Sequence, residues 1–190
     1  MSKHLSVRTL VVASLLAVAA VAIVGKDVEN FRIRDDCDPA TFNAIFGDGV
    51  CLETFDGDTT VEEFLEELAE DKEVGSWKFN PDRTRIDRGQ GTLLESRAGE
   101  THTFTRVAQF GGGFVPALNE LAGFDELAPE CVADPDAPIL APAAPGPANI
   151  FVPAGAKIQG PVAGGEHMTK GTTKWQCCIH PWMQSTVTVR

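Results

Sequence analysis

Between Asp27 and Val74 the apolar positions recur at short helical spacings. Asp38 can cap a helix that Pro39 opens and Gly47 closes, because its side-chain oxygen can accept from free first-turn N–H groups and Pro tolerates that turn. A second helix is predicted from Thr60, where Thr60 and Glu63 have capping-box spacing. Val61, Phe64, Leu65 and Leu68 form its apolar face, and Glu62, Glu63, Glu66, Glu67 and Glu70 cover the rest. From Ser76 onward the period shortens to alternation between Gly and Pro punctuation. It predicts strands over 77–79, 92–95, 101–107, 150–152, 174–178 and 186–189. Many short strands at turn-punctuated spacing predict a mainly β protein, a Greek-key β-sandwich preceded by a small acidic helical segment.

This pattern divides the chain into 1–25, an acidic helical segment at 26–75, and a β domain at 76–190 with an insertion at about 110–150. Within the insertion, 110–127 is Gly-rich and weakly helical. Residues 134–149 are rich in Pro and Ala and read as an irregular connection, because Pro donates no ladder hydrogen bond. At the start, Lys3 and Arg8 precede an uncharged, mostly apolar run of 16 residues from Leu10 to Gly25. It reads as an export signal, cleaved or retained as a membrane tether, and predicts a periplasmic or extracellular protein in a compartment where disulfides persist.

Charge separates the parts further. Residues 27–75 carry 16 acidic and three basic side chains, whereas residues 76–190 carry 11 acidic and 10 basic. Neither part offers the basic stripe that meets nucleic-acid phosphates, which excludes that partner. A calcium loop counted from Asp56 fails on Val61, which stands where the sharp turn needs Gly, and it competes with the helix at Thr60.

The chemistry concentrates in Trp175-Gln176-Cys177-Cys178-Ile179-His180-Pro181-Trp182-Met183. A thiolate, an imidazole and a thioether on one short loop form a soft donor set. With a second His they make the trigonal copper site with a weak axial Met that serves electron transfer. Four histidines exist and His4 lies in the export run, so the second imidazole comes from His102 or His167. His102 sits on an alternating strand after a Gly turn, a rigid platform; His167 follows Gly164-Gly165 in a turn.

The last segment resembles the C-terminal ligand loop of the cupredoxin family. Its Cys-x2-His-x2-Met spacing is similar to the short loop of amicyanins, and counting from Cys177 reaches His180 and Met183. Upstream, Trp77-Lys78-Phe79-Asn80-Pro81, Arg97-Ala98-Gly99-Glu100-Thr101 and His102-Thr103-Phe104-Thr105 resemble the strands leading to that family's first His ligand. The resemblance covers most of 76–190 and none of 27–75. It implies one type 1 copper held by His102, Cys177, His180 and Met183, with Pro181 and Trp182 as a shielding wall. Two departures stand out. Thr103 occupies a position where many small members carry Asn, which leaves open whether the hydrogen bond tightening the loop is replaced. The 74 residues between His102 and Cys177 are also a long interval.

Such a site has no open coordination position, so the expected role is one-electron transfer with a redox partner protein rather than catalysis. Copper oxidases and nitrite reductases need further His-rich centres, for which too few histidines remain. Copper delivery without electron shuttling, and an interaction module built on the acidic helices, are the other functions compatible with these residues. Five cysteines suit one metal thiolate and two bridges. Four cysteines allow three connectivities; the short loop between Cys37 and Cys51 makes a local bridge easy and leaves Cys131 with Cys178.

Overall fold

Strand β1 (Glu29–Arg34) is the first described element of the computed structural model, which describes residues 27–190. The predicted export run lies outside the described residues. Among those residues no helix is long and apolar enough to cross a membrane. After β1 come α1 (Pro39–Phe46), α2 (Val61–Asp71), β2 (Lys78–Asn80), β3 (Arg83–Ile86), β4 (Thr92–Arg97), β5 (His102–Val107) and α3 (Pro116–Ala122). The chain ends with β6 (Asn149–Val152), β7 (Lys157–Gln159), β8 (Gly171–Gln176) and β9 (Gln184–Val189).

The strands form two sheets, one of order β2-β1-β4-β7 and one of order β3-β9-β8-β5-β6. The chain is therefore a mainly β sandwich. Both sheets are mixed: β1 runs parallel to β4 and β3 parallel to β9, while the other pairs are antiparallel. Aromatic side chains fill the space between them. Phe104 stacks on Trp175 at 4.6 Å between ring centroids and meets Phe31 at 5.2 Å and Phe79 at 5.3 Å.

Residues 27–74 are not helical throughout, as the short-range pattern predicted. Their first strand, β1, is an interior member of the four-stranded sheet, with Phe31 and Ile33 fully buried and Arg32 and Arg34 exposed. That alternation over six residues is the period-2 signal of a half-buried strand, and the helical texture downstream masked it. The edge strands β3 and β7 also went unpredicted, being only four and three residues long.

Both helices form where their caps predict. Asp38 accepts from the N–H groups of Ala40 and Thr41, and Gly47 closes α1 with φ at 110°. Thr60 and Glu63 form the reciprocal capping box, so Thr60 serves a helix start rather than a cation loop. Val61, Phe64 and Leu68 of α2 are buried, worth about 1.5–3 kcal/mol each. Leu65, assigned to the same face, is instead 39% exposed.

On β4, Glu95 accepts from Asn30 of β1 and pairs with Lys157 of β7 and with Arg97. Asn30 foremost, then Lys157 and Arg97, outweigh desolvation and hold Glu95 down at about 2. A lowered carboxylate contributes stability that is present above its unfolded value and lost as pH falls through the folded one. The stability gap between the native chain and Glu95→Gln should therefore narrow as pH falls from about 4.5 to about 2. Urea denaturation at stepped pH measures it, and a constant gap would show that these bonds give Glu95 no charge-dependent role.

Candidate metal centre

The parallel register of β1 and β4 pairs Arg34 with Arg97, so the turns that follow the two strands run side by side. Asp35, one residue past β1, thereby reaches the 99–102 turn. Its Oδ1 accepts from Gly99 N–H at 2.7 Å and its Oδ2 from Glu100 N–H at 2.9 Å. The same Oδ2 lies 2.8 Å from His102 Nε2, with both side chains wholly buried. A ring held by Nε2 presents its other nitrogen in a fixed direction, and His102 Nδ1 lies 3.8 Å from Cys177 Sγ.

Cys177 follows β8 at the mouth of the β8–β9 hairpin. The loop closes on itself: Cys177 N–H donates to Met183 O at 3.0 Å and Met183 N–H to His180 O at 2.9 Å. That tight return brings His180 Nδ1 to 3.9 Å from the same sulfur. Cys177, His102 and His180 thus offer three donor atoms within 4.8 Å of one another, all three residues buried. Met183 is buried in the same core, whereas His167, the other histidine candidate, sits by Glu166 outside this cluster.

Thr103 supplies the tie between strand and loop that its position leaves open in the sequence. Its hydroxyl accepts from Cys178 N–H at 2.7 Å, and its own N–H points at Cys177 Sγ at 3.4 Å. Adjacent residues face opposite ways. Cys177 enters the main core, while Cys178 joins a satellite core of Val107, Ala128, Cys131 and Val132. There it is bridged to Cys131; Cys37 is bridged to Cys51, and Cys177 is the one free cysteine among the described residues. The insertion reaches the loop through Phe114 N–H, which donates to Cys178 O at 3.0 Å. A Cβ at the neighbouring Gly113 would collide with that same carbonyl, so only Gly permits the approach.

Burial works against charge on every one of these groups. For His102 it is outweighed by Asp35 and by Cys177, which hold the imidazole up to about 10. For Cys177 it is outweighed by His102 and His180, so the thiol lies well below its ordinary range. Burial likewise pushes Asp35 up, but His102 and the N–H groups of Gly99 and Glu100 bring it below the usual value. At Glu100 burial wins and the carboxyl is raised, although His180 and His102 pull the other way. A low thiol pKa beside two imidazoles is the environment in which a cysteine can serve as a metal ligand.

The spacing fits a metal as well as the charge does. Sulfur and nitrogen ligands at about 2.3 and 2.0 Å from a shared ion, 120° apart, lie about 3.7 Å from each other. The two observed sulfur–nitrogen separations are 3.8 and 3.9 Å.

The acidic helices cover this centre. Phe64 of α2 lies edge-on to His180 at 6.3 Å, beside Trp182 at 5.9 Å and Trp77 at 4.8 Å. Trp77 Nε1 donates to Glu100 Oε2 at 2.6 Å, and that oxygen lies 3.6 Å from His180 Nε2. His180 is consequently only 3% exposed. Asp35, Glu100 and Phe64 were missed as site residues. The signal for Asp35 was present, an acid one residue past an alternating strand, but that strand was itself unread.

No protein-family model and no curated protein matches the chain. Solved structures do. The purple cupredoxin from Nitrosopumilus maritimus is 12% identical over 85% of this chain and 99% of its own, with a TM-score of 0.38. A reduced amicyanin variant is 13% identical over 62% of this chain and 78% of its own, at 0.33. A fern plastocyanin variant is 22% identical over 62% and 93%, at 0.31. These solved structures to which the chain is similar are cupredoxins, the family whose ligand loop residues 177–183 resemble.

Proposed function

We propose that this chain is an exported type 1 copper protein that relays single electrons, in which His102, Cys177, His180 and Met183 would hold the copper. The observation that carries the reading is the convergence of the one buried, unbridged cysteine sulfur among the described residues with two imidazole Nδ1 atoms at 3.8 and 3.9 Å. Copper in such a donor set supplies a one-electron couple with little rearrangement. The chain's own residues do the rest. Asp35 fixes the ring of His102, Thr103 fixes the loop of Cys177, and Phe64, Trp77 and Trp182 keep water from His180.

This burial favours relay over copper delivery. Handing a metal on requires an accessible ligand to exchange first, and the four proposed ligands are at most 3% exposed. Relay asks only that the ligands stay still. Export agrees with the two bridges, which persist in an oxidising compartment.

Titration of the purified protein with copper(II) tests the reading. An intense visible thiolate-to-copper band should saturate at one equivalent and bleach reversibly on one-electron reduction. Cys177→Ser should remove that band while the far-ultraviolet dichroism of the sandwich persists. A Cys177→Ser protein with its colour intact would overturn the ligand set.

A further inference from the structure

The acidic segment does more than shield the centre. A cavity of about 340 Å³ runs between α1, α2 and α3 and is lined almost wholly by apolar side chains, among them Phe42, Phe64, Leu118 and Leu121. Its polar lining residues are the buried Glu100 and His180, so the groove abuts a proposed copper ligand. Three of the seven large hydrophobic residues exposed among the described residues rim this one groove: Ile45 at 63%, Phe46 at 52% and Leu65 at 39%. A contiguous apolar opening with a polar rim is the signature of an interaction site, whereas single exposed residues such as Ile139 need no explanation.

The charge around the groove says what it accepts. From Asp36 to Asp71, the stretch that supplies both α1 and α2, the chain carries 12 acidic side chains and no Lys, Arg or His. The other wall, Gly111 to Cys131 with α3, carries four acidic side chains and again no cation. Lys72, just past α2, is occupied by Ala69 O at its own helix end. Glu62 and Glu66 are exposed on α2 either side of Leu65. An apolar opening inside a field of one sign selects a partner of opposite sign and steers its approach.

We infer that the α1–α2–α3 groove is the docking face for a basic electron-transfer protein, which seats an apolar side chain between Ile45, Phe46 and Leu65 and ranges Lys or Arg over Glu62 and Glu66. The inference rests on the copper reading for its purpose and on the groove alone for its location. The bound partner lies over Phe64 and His180, so the electron crosses the aromatic cover rather than the long 134–149 connection.

The test uses a lysine-rich c-type cytochrome as the probe. Amide shifts of the isotope-labelled full chain, copper-free and copper-loaded, are followed by NMR as the cytochrome is added at low salt. They should cluster on 39–71 and 115–122 and fade as ionic strength rises. The loaded protein's second-order rate of electron exchange with the cytochrome should fall at least tenfold in Ile45→Gln/Leu65→Gln. It should fall similarly in Glu62→Lys/Glu66→Lys, and neither pair should alter the rate with a small inorganic complex. Absence of binding, shifts centred on another face, or unchanged rates in both variants would overturn the docking face. So would concentration-dependent dimerisation through 39–71 in the ultracentrifuge. A chain that never colours with copper yet binds the cytochrome through the groove would sink the copper reading and leave the docking face standing.

Discussion

Asp35→Asn should weaken copper(II) binding by about 10- to 100-fold, the usual cost of removing a carboxylate from behind a ligating His. Asn has nearly the shape of Asp but one acceptor oxygen instead of two. Oδ2 receives Glu100 N–H and faces His102 Nε2, while Oδ1 receives Gly99 N–H. With the amide oxygen in the Oδ2 place, the NH2 group meets the Gly99 N–H; flipped, it meets Glu100 N–H and His102 together. A donor faces a donor in either orientation, at a cost of about 1–3 kcal/mol for each buried group left unpaired. The flipped amide also asks His102 Nε2 to accept, which moves the ring proton onto Nδ1, the nitrogen that faces Cys177. The neutral side chain further removes the negative charge that makes the imidazole a better donor to the oxidised metal, so the reduction potential should rise. Competition titration with a copper chelator and protein-film voltammetry read the two effects separately. Unchanged affinity and potential with only lower thermal stability would reduce Asp35 to a brace for the 99–102 turn.

The centre and its surroundings differ in how far the sequence discloses them, for physical reasons. A loop in which three of the proposed ligands fall within seven residues is local, and its Cys-x2-His-x2-Met spacing is visible without a fold. His102 was separable from His167 because strand alternation on one side of a Gly turn contrasts with a Gly-Gly bend. Asp35 reaches His102 across 67 positions, and the contact exists only because β1 and β4 pair in parallel register. Parallel pairing between distant segments leaves no turn signature, and six residues of alternation were overridden by the helices that follow. Glu100 was in plain view beside the Gly turn but read only as part of the run leading to His102. Its burial depends on Trp77 and on the helical cover, neither of which spacing can place.

The helices themselves were legible in their caps but not in their purpose. A row of Glu on α2 predicts a solvated face, and most of it is solvated. Its apolar side could have packed on any part of the sandwich. It packs on His180 because Phe64 finds Trp77 and Trp182 there, and the Cys37–Cys51 bridge lies directly against Gly99. A Cβ on Gly99 would collide with both sulfurs, so the bridge, the 99–102 turn and Asp35 form one packed unit behind His102.

Removing the other bridge, with Cys131→Ala and Cys178→Ala together, should cost more stability than removing the Cys37–Cys51 bridge. The two cysteines lie 47 positions apart, and the chain-entropy relation gives about 4 kcal/mol for freeing a loop of that length, against about 3 kcal/mol for the 14-position Cys37–Cys51 loop. Both halves must go, so that no second unpaired thiol is left in the chain beside Cys177. The released segment carries the irregular 134–149 connection, whose ordering draws little from ladder hydrogen bonds, so the bridge bears more of it than it would in a regular element. The copper colour should nonetheless survive. Cys177 is oriented by Thr103 N–H, by the Met183 carbonyl and, through Cys178 N–H, by the Thr103 hydroxyl, and all three contacts use backbone groups that alanine retains. Urea denaturation of the copper-free protein should show the stability loss, and the copper(II) spectrum of the same variant should match the parent. A loss below about 1 kcal/mol would mean the unfolded 131–178 loop is already restrained without the bridge. A lost or shifted band would instead make the bridge part of the metal centre.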